Sequence, residues 1–269
     1  MRKNVVVFAF VFLALMLAAG QTFAAPVAHW NFDEGSGTVA ADSVGGNNAT
    51  LVNGPVWSTD RPATSFPNFY ALSFDGVDDY ALRSGVVTTV TDNVTLTAWV
   101  KWKGRNVSTS GAQAIVYNGN SDNSGYGIYM WSDGRVFILV GGVALVDTNI
   151  VLAADNRWRH LAAKREGGTW AIFLDGVQQT VTANSTAAPH VPLGSLTIGG
   201  NNMIAESFNG LIDDVRVYDN ALSSSDISAL AAPAAVPAAV PAINGWWMAA
   251  FVIISGAASV HYLKKRKRA

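Results

Sequence analysis

The sequence predicts an all-β domain, built as a two-sheet antiparallel sandwich of the jelly-roll kind. Three observations predict it. Between Ala28 and Tyr218, short apolar runs recur and are separated by clusters of Gly, Asn, Asp and Pro. Several of these runs alternate apolar and polar residues with a period of two, and almost none shows the helical period. The boundaries carry hairpin and turn chemistry, as in Ser132-Asp133-Gly134 and Asp175-Gly176. Roughly a dozen short strands at such spacing can bury their apolar faces only by stacking as two sheets.

In chain order, His29 to Phe32 is the first predicted strand, followed by turns at Glu34-Gly35-Ser36-Gly37 and Gly45-Gly46-Asn47-Asn48. Strands over 49–52, 70–74 and 80–83 come next. In Val94 to Lys103, Leu96, Ala98, Val100 and Trp102 alternate with Thr95, Thr97, Trp99 and Lys101, which gives a strand with two different faces. Strands over 115–118, 127–131 and 135–140 read as a meander. Strands over 158–165 and 169–174 form a hairpin around Glu166-Gly167-Gly168, and 177–181 and 196–198 complete the set. Phe208 to Tyr218 closes the domain. Strict alternation there puts Asp213 and Asp214 on opposite faces. Ser223 to Leu230 is the one helical piece, with Ser223 as its cap and Asp226 three residues later.

Both ends of the chain differ in kind from this domain. Residues 1–24 have the three parts of a signal peptide: Arg2 and Lys3, the apolar run Val5 to Ala19, and small residues before a cut after Ala24. Residues 25–230 are the predicted β domain. Residues 231–244 form an Ala/Pro-rich spacer of extended habit. Residues 245–263 carry no formal charge and, at about 1.5 Å per residue, just span a bilayer core of about 30 Å as a transmembrane helix. Trp246, Trp247 and Tyr262 occupy the interfacial positions, and the basic run 264–269 marks the cytoplasmic side. The expected location is therefore outside the cell for the β domain, anchored by the C-terminal helix.

Composition narrows the function classes. There is no Cys, so disulfides and thiolate metal sites are excluded. Residues 25–241 hold all 19 acidic residues and 11 of the 18 Lys and Arg, which leaves that stretch eight charges negative. An acidic domain is a poor nucleic-acid binder and is compatible with cations and with neutral polymers.

Six segments, in order and across the whole domain, resemble the laminin G-like branch of the concanavalin A-like lectin/glucanase superfamily. They are His29 to Gly37, Ala71 to Tyr80, Thr95 to Lys101, Arg157 to Ala162, Ile172 to Val177 and Phe208 to Tyr218. The resemblance implies a concanavalin A-like jelly roll with its first and last strands adjacent, and usually binding or adhesion, with enzymes a minority. It also implies a structural Ca2+ at the edge where those two strands meet. The aspartate of the closing strand matches Asp213, with Asp33 and Asp75 as supporting candidates. The C-terminal end is similar to tripartite PEP-CTERM and IPTL-CTERM sorting signals, closer to the second in Val240 to Met248, and departs from it at Asn244-Gly245. That similarity implies an exosortase-like processing enzyme as a partner and a bacterial source.

Catalytic chemistry is poorly represented. Glycanases on such sandwiches use two carboxylates facing one another across a cleft. The chain has three Glu, at 34, 166 and 206, each in or beside a turn and none at a paired spacing. His29, His160 and His190 lie outside any nucleophile motif. No catalytic residue is assigned. For ligand binding, the polar, Gly-rich loop Asn118 to Tyr126 sits at a rim, and Trp131 ends a strand where its ring can stack on a sugar. Asn118, Asp122, Tyr126 and Trp131 are therefore the candidate ligand residues. The expected function is non-catalytic binding of glycan or matrix. The alternatives are a structural matrix component without a discrete ligand, and a glycoside-active enzyme on the same fold.

Overall fold

The structure is a computed structural model that describes residues 24–105, 111–201 and 206–234. The predicted signal peptide, apart from Ala24, and the predicted transmembrane helix and basic tail lie outside the described residues. Among the described residues, no helix is long and apolar enough to cross a membrane.

Sixteen strands and one helix are present among them. The first four strands are β1 (Ala28–Trp30), β2 (Val39–Ala40), β3 (Ala49–Val52) and β4 (Val56–Ser58). Next come β5 (Ala71–Asp75), β6 (Tyr80–Arg83), β7 (Val94–Trp102) and β8 (Ala112–Asn120). The meander contributes β9 (Ser124–Trp131), β10 (Arg135–Val140) and β11 (Ala144–Val151). The last strands are β12 (Arg159–Glu166), β13 (Thr169–Leu174), β14 (Val177–Gln179), β15 (Ser195–Ile198) and β16 (Asn209–Tyr218), and α1 (Ser224–Leu230) follows.

They make two antiparallel eight-stranded sheets. One runs β14-β13-β12-β7-β16-β5-β4 with β1 also on β16, and the other runs β11-β10-β9-β8-β15-β6-β3-β2. The sandwich is thus as the sequence predicts. Strands β2, β4 and β11 were not predicted. The apolar residues of β11 are interrupted by Asp147, Thr148 and Asn149, and only pairing with β10 makes it a strand.

The core lies between the sheets. Trp30, Phe74, Leu96, Ile128, Trp170 and Ile212 all belong to it and are essentially closed to solvent. Each such side chain stabilises the fold by about 1.5–3 kcal/mol relative to exposure. The predicted alternation of β7 holds, with Val94, Leu96, Ala98, Val100 and Trp102 facing this core. Its other face is buried as well: Thr95, Thr97, Trp99 and Lys101 are all 6% exposed or less. Two coverings account for that. Helix α1 packs Ile227 and Leu230 against Phe173, Tyr218 and Leu222. Its Ser223 cap accepts a hydrogen bond from the Asp226 amide at 3.1 Å, while the Asp226 carboxylate takes the Ser223 hydroxyl at 2.7 Å. The second covering is the irregular segment 59–70, a strap tied down by Asp60, whose carboxylate accepts from Lys101 Nζ at 2.6 Å and Trp158 Nε1 at 3.1 Å.

The closing strand departs from prediction. On one side, β16 pairs with β7 along its length, but the four residues from Asp213 to Arg216 lie opposite only three of β7, from Trp99 to Thr97. This is a β-bulge. Asp214 takes φ +47°, a left-handed conformation that Asp tolerates better than most residues. Ile212, Val215 and Val217 all enter the core, so the expected opposite-face placement of Asp213 and Asp214 is corrected: strict alternation fails at these two residues. On its other side, β16 pairs with β5 through Ile212 and with β1 from Val215. Asp213 and Asp214 fall in the gap between those two partners.

Candidate functional site

That gap is both buried and polar. Asp213 and Asp214 are 0% and 1% exposed. The Asp214 Oδ1 atom lies 2.6 Å from His29 Nε2 on β1 and accepts from Arg216 Nη2 at 2.9 Å and Nε at 3.1 Å. Asp213 Oδ2 accepts from Asn68 Nδ2 of the strap at 2.7 Å, and its Oδ1 takes the Asp214 amide at 2.8 Å. Phe66, also on the strap, lies under the Arg216 guanidinium with 4.9 Å to the ring centroid. Asp33 sits at the mouth. Its Oδ1 accepts from the Phe69 and Tyr70 amides at 2.5 and 3.1 Å, and its Oδ2 from Asn31 Nδ2 at 3.2 Å. His29, Asn31, Asp33, Asn68, Asp214 and Arg216 line a recess of about 210 Å3.

The two adjacent carboxyls are driven apart electrostatically. Burial pushes Asp213 well above the ordinary carboxyl range, and the charges of Asp214 and Asp33 add to it. Burial also opposes ionisation of Asp214, but the hydrogen bond from His29 and the charge of Arg216 outweigh it and hold that carboxyl low. Next to them His160 is fully buried, edge-on to Trp99 at 5.3 Å between ring centroids. Burial lowers its pKa to about 4, against a smaller opposing effect of Asp214.

The oxygen atoms here match the ligand needs of a hard cation. Asn68 Oδ1 and Asp214 Oδ2 are buried without a hydrogen-bond partner, beside two further carboxylates. A cation would satisfy the orphaned oxygens and return Asp213 to its ionised form. Asn68 Oδ1 and Asp214 Oδ2 are the two seam oxygens open to such an ion, with Asp33 and Asp213 in the same recess or beside it. Asp75 is not among them. It stands instead with Asp78 and Asp79, their ligand atoms within 4.8 Å, and its own Oδ1 caps the Val77 amide at 2.8 Å as in an ordinary turn. The three predicted metal residues thus fall in two separate places.

The four predicted ligand residues do not converge either. The expected loop Asn118 to Tyr126 is the β8–β9 hairpin, and Asn118 pairs directly with Tyr126. Asn118 is 0% exposed and spends its amide on Val87 N and Thr88 O. Tyr126 belongs to the core, its hydroxyl donating to Val90 O at 2.9 Å and its ring packed on Trp170. Only Asp122 is exposed, in the turn. Trp131 lies at the far end of β9, half-buried and stacked on Phe137 at 4.9 Å and 27°. With Arg105, Gly111, Ser132, Asp133 and Arg135 it lines an open groove of about 320 Å3. Asn68, Arg216 and His160 were not singled out beforehand. The paired aspartates in a strand were the one visible signal for the seam.

Comparison with known proteins agrees with this architecture. Over 182 residues the chain is 27% identical to the sushi, von Willebrand factor type A, EGF and pentraxin domain-containing protein 1 of Rattus norvegicus, which covers 62% of this chain and 5% of that much longer protein. Among solved structures, domain 4 of AbnA, a GH43 extracellular arabinanase of Geobacillus stearothermophilus in complex with arabinotriose, matches with a TM-score of 0.59 at 19% identity, covering 78% of this chain and all of that one. Trypanosoma rangeli sialidase matches with a TM-score of 0.56 at 17% identity, over 76% of this chain and 32% of that one. At these identities the likeness is one of fold. The family described as the concanavalin A-like lectin/glucanases superfamily, in its laminin G form, matches residues 75–228, more than half of the chain, and the protein belongs to it.

Proposed function

We propose that the domain is a non-catalytic binding module for glycan or extracellular matrix, exported and displayed outside the cell. The observation that supports this best is the groove at Trp131. An aromatic ring braced by Phe137 offers a flat apolar platform, and Ser132, Asp133 and Arg135 place hydrogen-bonding groups beside it. A sugar ring has the complementary form, an apolar face with hydroxyls around its edge. Glycan-array binding by the full chain tests the proposal. Trp131→Ala should weaken the best hits by about 1–3 kcal/mol, the usual range for losing an aromatic anchor, with the fold intact. Array hits that survive Trp131→Ala unchanged would move the site elsewhere, and no hits at all would favour the structural matrix role.

Calcium belongs to this proposal as a structural ion at the seam, supported by the orphaned oxygens of Asn68 and Asp214. The anchoring and processing of the C-terminal end, by an exosortase-like enzyme, are part of the same reading. Mass spectrometry of the mature C-terminus would show whether Trp246 to Ala269 is retained.

One observation favours a second reading, a glycoside-active site at the seam. Asp213 and Asp214 are neighbours with opposite shifts, the pattern of an acid/base pair. Both lie shut beneath the strap, which is why binding is preferred. Polysaccharide hydrolysis by the wild type that vanishes in Asp214→Ala would reverse that preference.

A further inference from the structure

We infer that the groove beside Trp131 takes acidic glycans, those carrying a carboxylate, with Arg105 and Arg135 as the groups that recognise the charge. This rests on the reading of that groove as a glycan site and adds to it the class of sugar. The domain is acidic overall, eight charges negative over residues 25–241. The groove runs against that trend. Among the described residues that line it, two of six are arginines and one is an acid.

The pairing within the groove leaves the positive charge available. Asp133 Oδ2 accepts from Arg135 Nε at 2.8 Å, a bond that spends one edge of the guanidinium and sets its plane. Both side chains remain more than half exposed, so this ion pair is open to water and to ligand. Among the described residues, the Arg105 guanidinium has no ion-pair or hydrogen-bond partner, while its carbonyl is anchored by Asn209 Nδ2 at 3.0 Å. One arginine is thus oriented by its own aspartate and the other is held by its backbone. A guanidinium presents its N–H groups in a planar fork that fits a carboxylate in bidentate fashion. Trp131 supplies the stacking face, so charge and ring are recognised by different side chains.

The test uses the purified full chain and matched pairs of oligosaccharides. Fragments of polygalacturonate, alginate and hyaluronate are compared with the same fragments after reduction of their carboxyls to alcohols. The acidic member of at least one pair should bind about tenfold more tightly, and the difference should shrink as salt rises from 0.05 to about 0.5 M. Arg105→Ala and Arg135→Ala should each narrow the gap between acidic and reduced forms, while Trp131→Ala weakens both forms together. Thermal melting of each variant confirms that these exposed substitutions leave the fold in place. Equal binding of acidic and reduced forms, lost in Trp131→Ala, would overturn the charge class and leave the glycan site standing. A preference for acid that neither arginine variant alters would overturn the assignment of those residues. Binding to no member of any pair would count against the glycan reading itself.

Discussion

His160 shows how burial alone can set a residue's chemistry. Its imidazole is closed to solvent, and neither ring nitrogen has a hydrogen-bond partner. The folded chain therefore keeps it neutral down to about pH 4, whereas the unfolded chain takes up a proton near 6.5. Between these values the unfolded state binds more protons, so stability falls as the pH is lowered through that window. The loss from this group reaches about 3 kcal/mol at its lower end. Urea denaturation at pH 7 and pH 4.5 should show it, and His160→Phe, which keeps a ring against Trp99, should remove most of the difference. An unchanged pH slope in that variant would place the proton uptake elsewhere. Asp213 acts with the opposite sign. Its folded pKa is raised, so the folded state holds the extra proton and this group's contribution weakens as pH rises above about 3.8. A bound cation would remove that penalty, and Asp213→Asn should abolish any response to calcium while leaving the calcium-free protein about as stable as before.

At the scale of the element, the closing strand combines two requirements that its composition shows only in part. Gly210 lies between partners on both sides, Phe74 of β5 and Trp102 of β7. A Cβ at this position would run into the Lys101 carbonyl oxygen and the Phe208 ring. Gly210→Ala should therefore cost about 1–3 kcal/mol through overpacking, measurable by chemical denaturation; a change within about 0.5 kcal/mol would mean the strands can part freely there. The bulge two residues beyond Ile212 is the less legible requirement. Nothing in FNGLIDDVRVY distinguishes an unbroken strand from one with an inserted residue, because Leu211, Val215 and Val217 already fit a period of two without any insertion. The pair of aspartates was the visible anomaly, since carboxylates in the middle of a strand do nothing for its packing. Their explanation lies in the partner change from β5 to β1, which is a property of the sheet.

At the scale of the whole molecule, the seam joins segments that are far apart in the chain. Asp214 meets His29 across 185 residues and Asp213 meets Asn68 across 145. A ligand bound there ties the first strand, the strap and the last strand together, so it stabilises the folded state as a whole. Calcium at one hundred times its dissociation constant would add about 2.7 kcal/mol, or roughly 5–10 °C in melting temperature for a domain of this size. Scanning calorimetry with and without a chelator checks this. Identical melting curves would remove calcium from the proposal and leave the orphaned oxygens to water.

The positions of most strands along the chain, the choice of two stacked sheets, the polarity of the two faces of β7 and the capped helix at Ser223 were all determined by the sequence itself. These are consequences of local periodicity and turn chemistry, which act between residues near one another in the chain. Tertiary structure alone decided the rest. It drew Asn118 and Tyr126 into the interior by pairing β8 with β9, separated Trp131 from them by the length of a strand, and parted Asp75 from Asp33 and Asp213. It also placed Asp213 and Asp214 in one notch beneath the strap. Which side chains share a site depends on strand register and on a single inserted residue, and register is set by pairing between distant segments.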